Sequence, residues 1–120
     1  MKSERQRLLA RGQQLRQRMR SLSHGPLMRG SLVERLRRCG RRNCVCARDP
    51  DARHGGKFLT VQLDGRTEAL HVRSQDEAHV RDALAAYARL WEVINDLTRC
   101  ELAELRRQVR ERRRERRRGG

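Results

Sequence analysis

Between Ser74 and Gly119 the chain carries neither glycine nor proline. A run of that length can hardly be anything but a single helix. A helix of roughly forty residues is about 60 Å long, too long for so small a chain to cover unless another helix lies along it. The opening Ser74-Gln75-Asp76-Glu77 has the spacing of a capping box, in which the serine oxygen and the glutamate carboxylate satisfy each other's orphan backbone N–H groups. Val80, Leu84, Tyr87, Trp91, Ile94, Thr98 and Leu105 then recur at spacings of three and four, interrupted at Glu101 and broadened by Leu90, Leu97 and Leu102.

The covering helix is expected at the N-terminus. From Glu4 to Ser23, Leu8, Leu15, Met19 and Leu22, with Gly12 filling the gap, form a narrow heptad seam flanked by arginine and glutamine. His24-Gly25-Pro26 ends it, Gly25 being suited to a left-handed cap and Pro26 unable to continue the ladder. The two helices are expected to pair as a coiled coil, antiparallel within the chain or across a homodimer.

Between the helices the periodicity changes. Leu59, Val61 and Leu63 alternate with Thr60 and Gln62, Asp64-Gly65 supplies a two-residue turn, and Leu70 and Val72 alternate with His71 on the return. A two-stranded hairpin with one apolar face is marginal alone, so it must lean on a helix or be tied at one end.

A tie is available just before it. Cys39, Cys44 and Cys46 fall within eight residues, and His54 follows across Pro50, ahead of Gly55-Gly56. Tetrahedral zinc takes four soft or borderline donors, and a closed set of three cysteines and one histidine leaves no open position, so the zinc expected here is structural. Other possible fourth donors are His24, His71, His79 and Cys100, the last read as a packing residue of the long helix. The competing reading is a set of unligated thiols, made reactive and redox-sensitive by neighbouring arginines. Met1 to Arg5 run into a polar helical pattern with no apolar stretch, so no signal peptide is expected and the setting is read as reducing and cytoplasmic, at the nucleoid if DNA is bound. No stretch is apolar enough for a membrane span.

Charge identifies the partner class. The 120 residues carry a formal net charge of +15, and all basic residues but Lys2 and Lys57 are arginine. A polyanion is the expected partner, with nucleic acid first. Arginines cluster in two places. Around the cysteines stand Arg35, Arg37, Arg38, Arg41, Arg42, Arg48 and Arg53. Past Leu105 come Arg106, Arg107, Arg110, Arg112, Arg113, Arg114, Arg116, Arg117 and Arg118, relieved by Glu111 and Glu115. Repulsion between neighbouring turns predicts that this tail frays unless it meets phosphates. Phe58, Tyr87 and Trp91 are the only aromatics, too few for stacking on single strands, so double-stranded DNA held through its backbone is the expected ligand.

Enzymatic chemistry is not expected. Asp49, Asp51 and Asp64 sit in turn contexts, Glu34, Asp76 and Glu77 belong to helix ends and surface pairs, and a helix pair with a hairpin offers little volume for a pocket. The alternative class is a coiled-coil adaptor that recruits another protein, with Tyr87 and Trp91 as interface anchors.

The segment from Gly30-Ser31-Leu32-Val33-Glu34-Arg35 through Arg38-Cys39-Gly40, Asn43-Cys44, Cys46-Ala47-Arg48 and His54-Gly55 resembles a family of small, basic bacterial proteins of unknown function, many of them transposase- or mobile-element-associated. The likeness extends from Gly30 to the middle of the long helix. It implies a short hairpin and a C-terminal helix, groups Cys39, Cys44, Cys46 and His54 as one constellation, and points to a DNA-transaction setting with a transposase as protein partner. Gly56-Lys57-Phe58-Leu59 departs from the proline and tyrosines usual after the histidine–glycine pair, and the arginine tail lies outside the likeness.

The expected fold is therefore α+β and mostly α. It comprises an N-terminal heptad helix over 1–24, a Cys/His metal knuckle with a β-hairpin over 30–73, and one long helix over 74–118 ending in the arginine-rich tail.

Overall fold

The computed structural model describes the chain apart from Cys39, Arg53 and Gly120 and the side chains of Arg37 and His54. It is mostly helical, with helix α1 over Glu4–His24, strands β1 over Ser31–Arg37, β2 over His54–Leu63 and β3 over Arg66–Val72, and helix α2 over Ser74–Gly119. Two compact units divide it: Met1–Gly25 with Tyr87–Gly120, and Pro26–Ala86.

The first unit is a pair of helices. α1 starts on a capping box that the sequence reading passed over: the Gln6 N–H donates to Ser3 Oγ at 3.2 Å, and the Ser3 N–H donates back to Gln6 Oε1 at 3.0 Å. Ser3-Glu4-Arg5-Gln6 carries the S-x-x-Q signature for it. At the other end Gly25 is extended, with φ −94° and ψ −172°, and not left-handed as expected. The heptad seam holds, because Gly12 and Leu15 are buried and Leu8, Met19 and Leu22 half-buried.

Residues early in α1 meet residues late in α2, so the two run antiparallel. Arg110 Nη2 reaches the Glu4 carboxylate, Cys100 Sγ faces the Leu8 carbonyl at 3.9 Å, and Arg16 Nη2 donates to Glu101 Oε1 at 2.9 Å.

The packed stripe of α2 keeps Val80, Leu84, Tyr87, Leu90, Ile94 and Leu97 of the one expected and leaves out Trp91, Thr98, Leu102 and Leu105. Leu90, Val93, Leu97, Cys100, Glu104 and Arg107 form the buried or half-buried line, whereas Trp91 is 54% and Leu105 52% exposed. Two overlapping apolar stripes coexist on this helix, and hydrophobic periodicity alone does not choose between them. A narrow seam with Gly12 near its centre favours the smaller side chains of Val93 and Cys100 over an indole.

The second unit is a three-stranded antiparallel sheet in the order β1-β2-β3, with the start of α2 on one face. Only its β2–β3 hairpin was foreseen, turning at Asp64-Gly65 with φ of 53° and 76°, as a two-residue primed turn requires. β1 is a correction to the two-stranded reading. Leu32 to Arg37 has helix-favouring residues and a weak alternation, and it becomes a strand because β2 offers a partner from Ser31↔Thr60 to Arg37↔His54. Leu59, Val72 and Val80 form the core, with Met28, Leu32, Val61 and Leu84 packed around it.

The approach to the sheet is fixed by the Met28 N–H, which donates to the Ala83 carbonyl at 3.1 Å, and by Arg29 Nη2, which donates to the Gln62 carbonyl at 2.7 Å. Gly30 is required here. A Cβ would stand 2.7 Å from the Thr60 carbonyl oxygen and 2.8 Å from Val61 Cγ1.

Candidate nucleic-acid interface and metal centre

The cysteine segment is the connection between β1 and β2. It turns at Gly40, whose φ of +86° is left-handed, and passes through short 3-10 turns at Val45–Ala47 and Pro50–Ala52. The Cys44 N–H donates to the Arg41 carbonyl at 3.3 Å, and the Ala47 N–H donates to the Cys44 carbonyl at 3.1 Å. Asp49 does the turn chemistry expected of it: its carboxylate accepts the Asp51 N–H at 3.0 Å.

Cys46 is fully buried in its turn and Cys44, at the N-cap of that turn, is half-buried. Cys39 and the His54 side chain, the other two expected ligands, lie outside the described residues. Among the described residues no three His, Cys, Asp or Glu side chains gather into a metal-binding group. The pairing of β1 with β2 nonetheless sets His54 opposite Arg37, two positions before Cys39 in sequence. Strand register returns the backbone at 54 to the base of this loop. Gly55 and Gly56 are themselves in β2.

Arg35, Arg38, Arg41, Arg42 and Arg48 are exposed around this connection, while Arg53 and the Arg37 side chain are outside the described residues. The second cluster is carried by α2, which stays helical to Gly119 and does not fray after Leu105. Arginine and glutamate are good helix formers, and Glu111 and Glu115 stand three or four positions from arginines on the same surface.

Two tail arginines are committed inside the chain. Arg107 grips Glu104 with two hydrogen bonds of 2.9 Å, and Arg110 is paired with Glu4 at 3.1 Å. The Arg107 hydrogen bonds hold the Glu104 carboxyl below its ordinary range, and those same bonds raise the guanidinium of Arg107. The other seven of the nine, Arg106, Arg112, Arg113, Arg114, Arg116, Arg117 and Arg118, are exposed and make no ion pair among the described residues.

The sheet unit also has more open volume than expected. A polar hollow of about 620 Å³ is lined by Glu34, Lys57, His71, Ser74 and Glu77 among others. Its charges are partly spent. Glu77 is paired with Lys57 and, at 3.7 Å, with Arg81, and the hydrogen bond from Lys57 lowers its pKa. The capping box expected between Ser74 and Glu77 is not found among the described residues: Ser74 is already the first residue of α2, and the Asp76 N–H donates to the Arg73 carbonyl at 2.9 Å. Among the described residues no hydrogen bond joins His71 to Ser74.

No helix among the described residues is long and apolar enough to cross a membrane. Neither the curated proteins nor the solved structures contain a match to the chain. The family model described as a domain of unknown function, DUF6788, matches residues 5–82, from the start of α1 through the sheet into α2. That span exceeds half of the 120 residues, and the chain belongs to the DUF6788 family.

Proposed function

We propose that this chain is a non-enzymatic nucleic-acid-binding module, with double-stranded DNA as its ligand, acting as an accessory protein of a transposase or other mobile element. The observation that carries the binding reading is the set of seven exposed arginines without ion-pair partners among the described residues on the last turns of α2, in a chain of net charge +15. Exposed guanidiniums without carboxylate partners are available to phosphates, which they grip bidentately. The mobile-element setting rests on the resemblance of the Gly30–His54 segment. In this reading Cys39, Cys44, Cys46 and His54 hold a structural zinc, which supplies a rigid tie for the arginine-bearing loop. The burial of Cys46 and the strand register that returns position 54 to the base of the loop support it.

A second reading has its own support. Trp91, Leu102 and Leu105 are exposed at 54%, 44% and 52%, at helical spacing on α2, which suits an adaptor or homodimer contact. Deleting the residues after Leu105 separates the two. DNA retention falls sharply if the arginine tail is the grip, and is unchanged if the charge serves only solubility while Trp91 and Leu102 recruit a protein.

A further inference from the structure

Strand register divides the sheet into two chemically different faces. Cross-strand partners share a face, so Leu32, Leu59 and Leu70 lie together, with Glu34, Lys57 and Val72 beside them. This is the face covered by Val80 and Leu84 of α2. The opposite face carries Ser31, Val33 and Arg35 of β1, Phe58, Thr60 and Gln62 of β2, and Thr67, Ala69 and His71 of β3. Of its described side chains Phe58 is buried, its ring 5.2 Å from that of His71, and Thr60 is half-buried with its hydroxyl covered; the rest are exposed, and Val80 and Leu84 belong to the cluster on the other face.

Charge is partitioned in the same way. Both carboxylates in the strands, Glu34 and Glu68, stand on the face that α2 covers. The open face has no carboxylate at any strand position. It offers a guanidinium at Arg35, an amide at Gln62, hydroxyls at Ser31 and Thr67 and an imidazole at His71, all exposed. Arg38, Arg41, Arg42 and Arg48 leave the end of β1 that adjoins Arg35.

We propose that this face, through Arg35, Gln62, Thr67 and His71, enters the major groove of double-stranded DNA while the arginines of the β1–β2 connection hold the flanking phosphates. The inference rests on the nucleic-acid reading above and adds an element that meets base edges. A major groove about 12 Å wide admits a two-stranded β-ribbon, and the β2–β3 hairpin, its strands about 4.8 Å apart, is such a ribbon, with Arg35 on the strand beside it. The side chains match base-edge chemistry, arginine with guanine, glutamine with adenine and the threonine methyl with that of thymine. A-form RNA is excluded as the ligand of this face, because its major groove is too deep and narrow for side chains to read.

The test compares the full chain on a short mixed-sequence duplex and on the same duplex with glucosylated 5-hydroxymethyl groups on its cytosines, which fill the major groove and leave the phosphates in place. Thr67→Glu and Leu70→Glu, neighbours on β3 that face opposite sides, are run alongside, with melting temperature as the check on folding. The expected result is binding about tenfold weaker on the glucosylated duplex. Thr67→Glu is expected to cost about tenfold on the plain duplex and little on the glucosylated one, while Leu70→Glu stays within about threefold of the parent on both. If Thr67→Glu does not fold, Gln62→Glu replaces it with the same expectation. Equal affinity of the parent for both duplexes, or equal losses in the two variants, overturns the groove assignment and leaves the backbone-binding reading standing. Binding to neither duplex overturns both.

Discussion

Arg110, near the end of α2, donates from Nη2 to both carboxylate oxygens of Glu4 at 3.1 Å, across 106 positions of sequence. The contact pins the last part of a long helix to the first turn of a short one, and it draws one arginine out of the pool that could meet phosphate. Both side chains are about half exposed, so its worth to stability is small. Glu4→Gln should lower the melting temperature by less than about 3 °C. It should also steepen the salt dependence of DNA binding by about one in log–log slope, as Arg110 is released to the ligand. Melting curves and fluorescence anisotropy at several salt concentrations check both halves.

The choice of seam on α2 is testable by deletion of side-chain volume. Leu15 is fully buried, and Leu15→Ala should cost about 2–5 kcal/mol in denaturant unfolding. Trp91→Ala removes a larger side chain that is 54% exposed and should cost less than about 1 kcal/mol. Equal costs would mean that Trp91, and not Val93, belongs to the packed line.

Acid sensitivity should be traceable to Glu77. Its pKa is lowered from an ordinary value of 4.5, chiefly by the hydrogen bond from Lys57 and then by the charges of Lys57 and Arg81. A carboxyl depressed in the folded state binds fewer protons there than when unfolded. Its stabilising contribution is complete above the unfolded value and is lost as pH falls through the folded one. Glu77→Gln should flatten the stability–pH curve below about pH 4.5 and leave the curve near neutrality parallel to the parent's. A parent curve already flat in that range contradicts the assignment.

Metal content tests the tie at the loop. Protein purified from a reducing host should carry one zinc per chain by elemental analysis. A chelator should reduce protection of the β1–β2 connection from proteolysis and lower the melting temperature. Cys46→Ser should abolish the zinc. Metal-free protein with unchanged proteolysis would leave Cys46 as a buried packing residue.

Much of this architecture is legible in the residues, for physical reasons that differ by element. The α1 seam could be read because Gly12, Leu15 and Met19 repeat on one face while the other positions from Arg11 to Arg20 are arginine or glutamine. The β2–β3 hairpin could be read because Asp64-Gly65 is a specific turn signal between alternating runs. β1 could not, since Leu32 to Arg37 becomes a strand only by pairing with residues 17 to 27 positions away. On α2 the periodicity reaches Val80, Leu84, Tyr87 and Ile94, but Trp91, Thr98 and Leu105 satisfy it as well as Val93 and Cys100 do, and only the partner helix decides which of these are covered. As to the site, the two arginine clusters were legible from composition, but the commitment of Arg107 and Arg110 to Glu104 and Glu4 was not. The open sheet face was invisible for the same reason as β1: without its third strand there is no face to describe.

Contact between the exposed arginines and phosphate is what a nucleic-acid-binding role requires of this chain. The direct measurement is the affinity of the full chain for a duplex across a range of salt concentrations. If about eight arginines contact B-DNA phosphates, log affinity falls against log salt with a slope of roughly −7. A slope shallower than about −2, with the protein folded throughout, contradicts it.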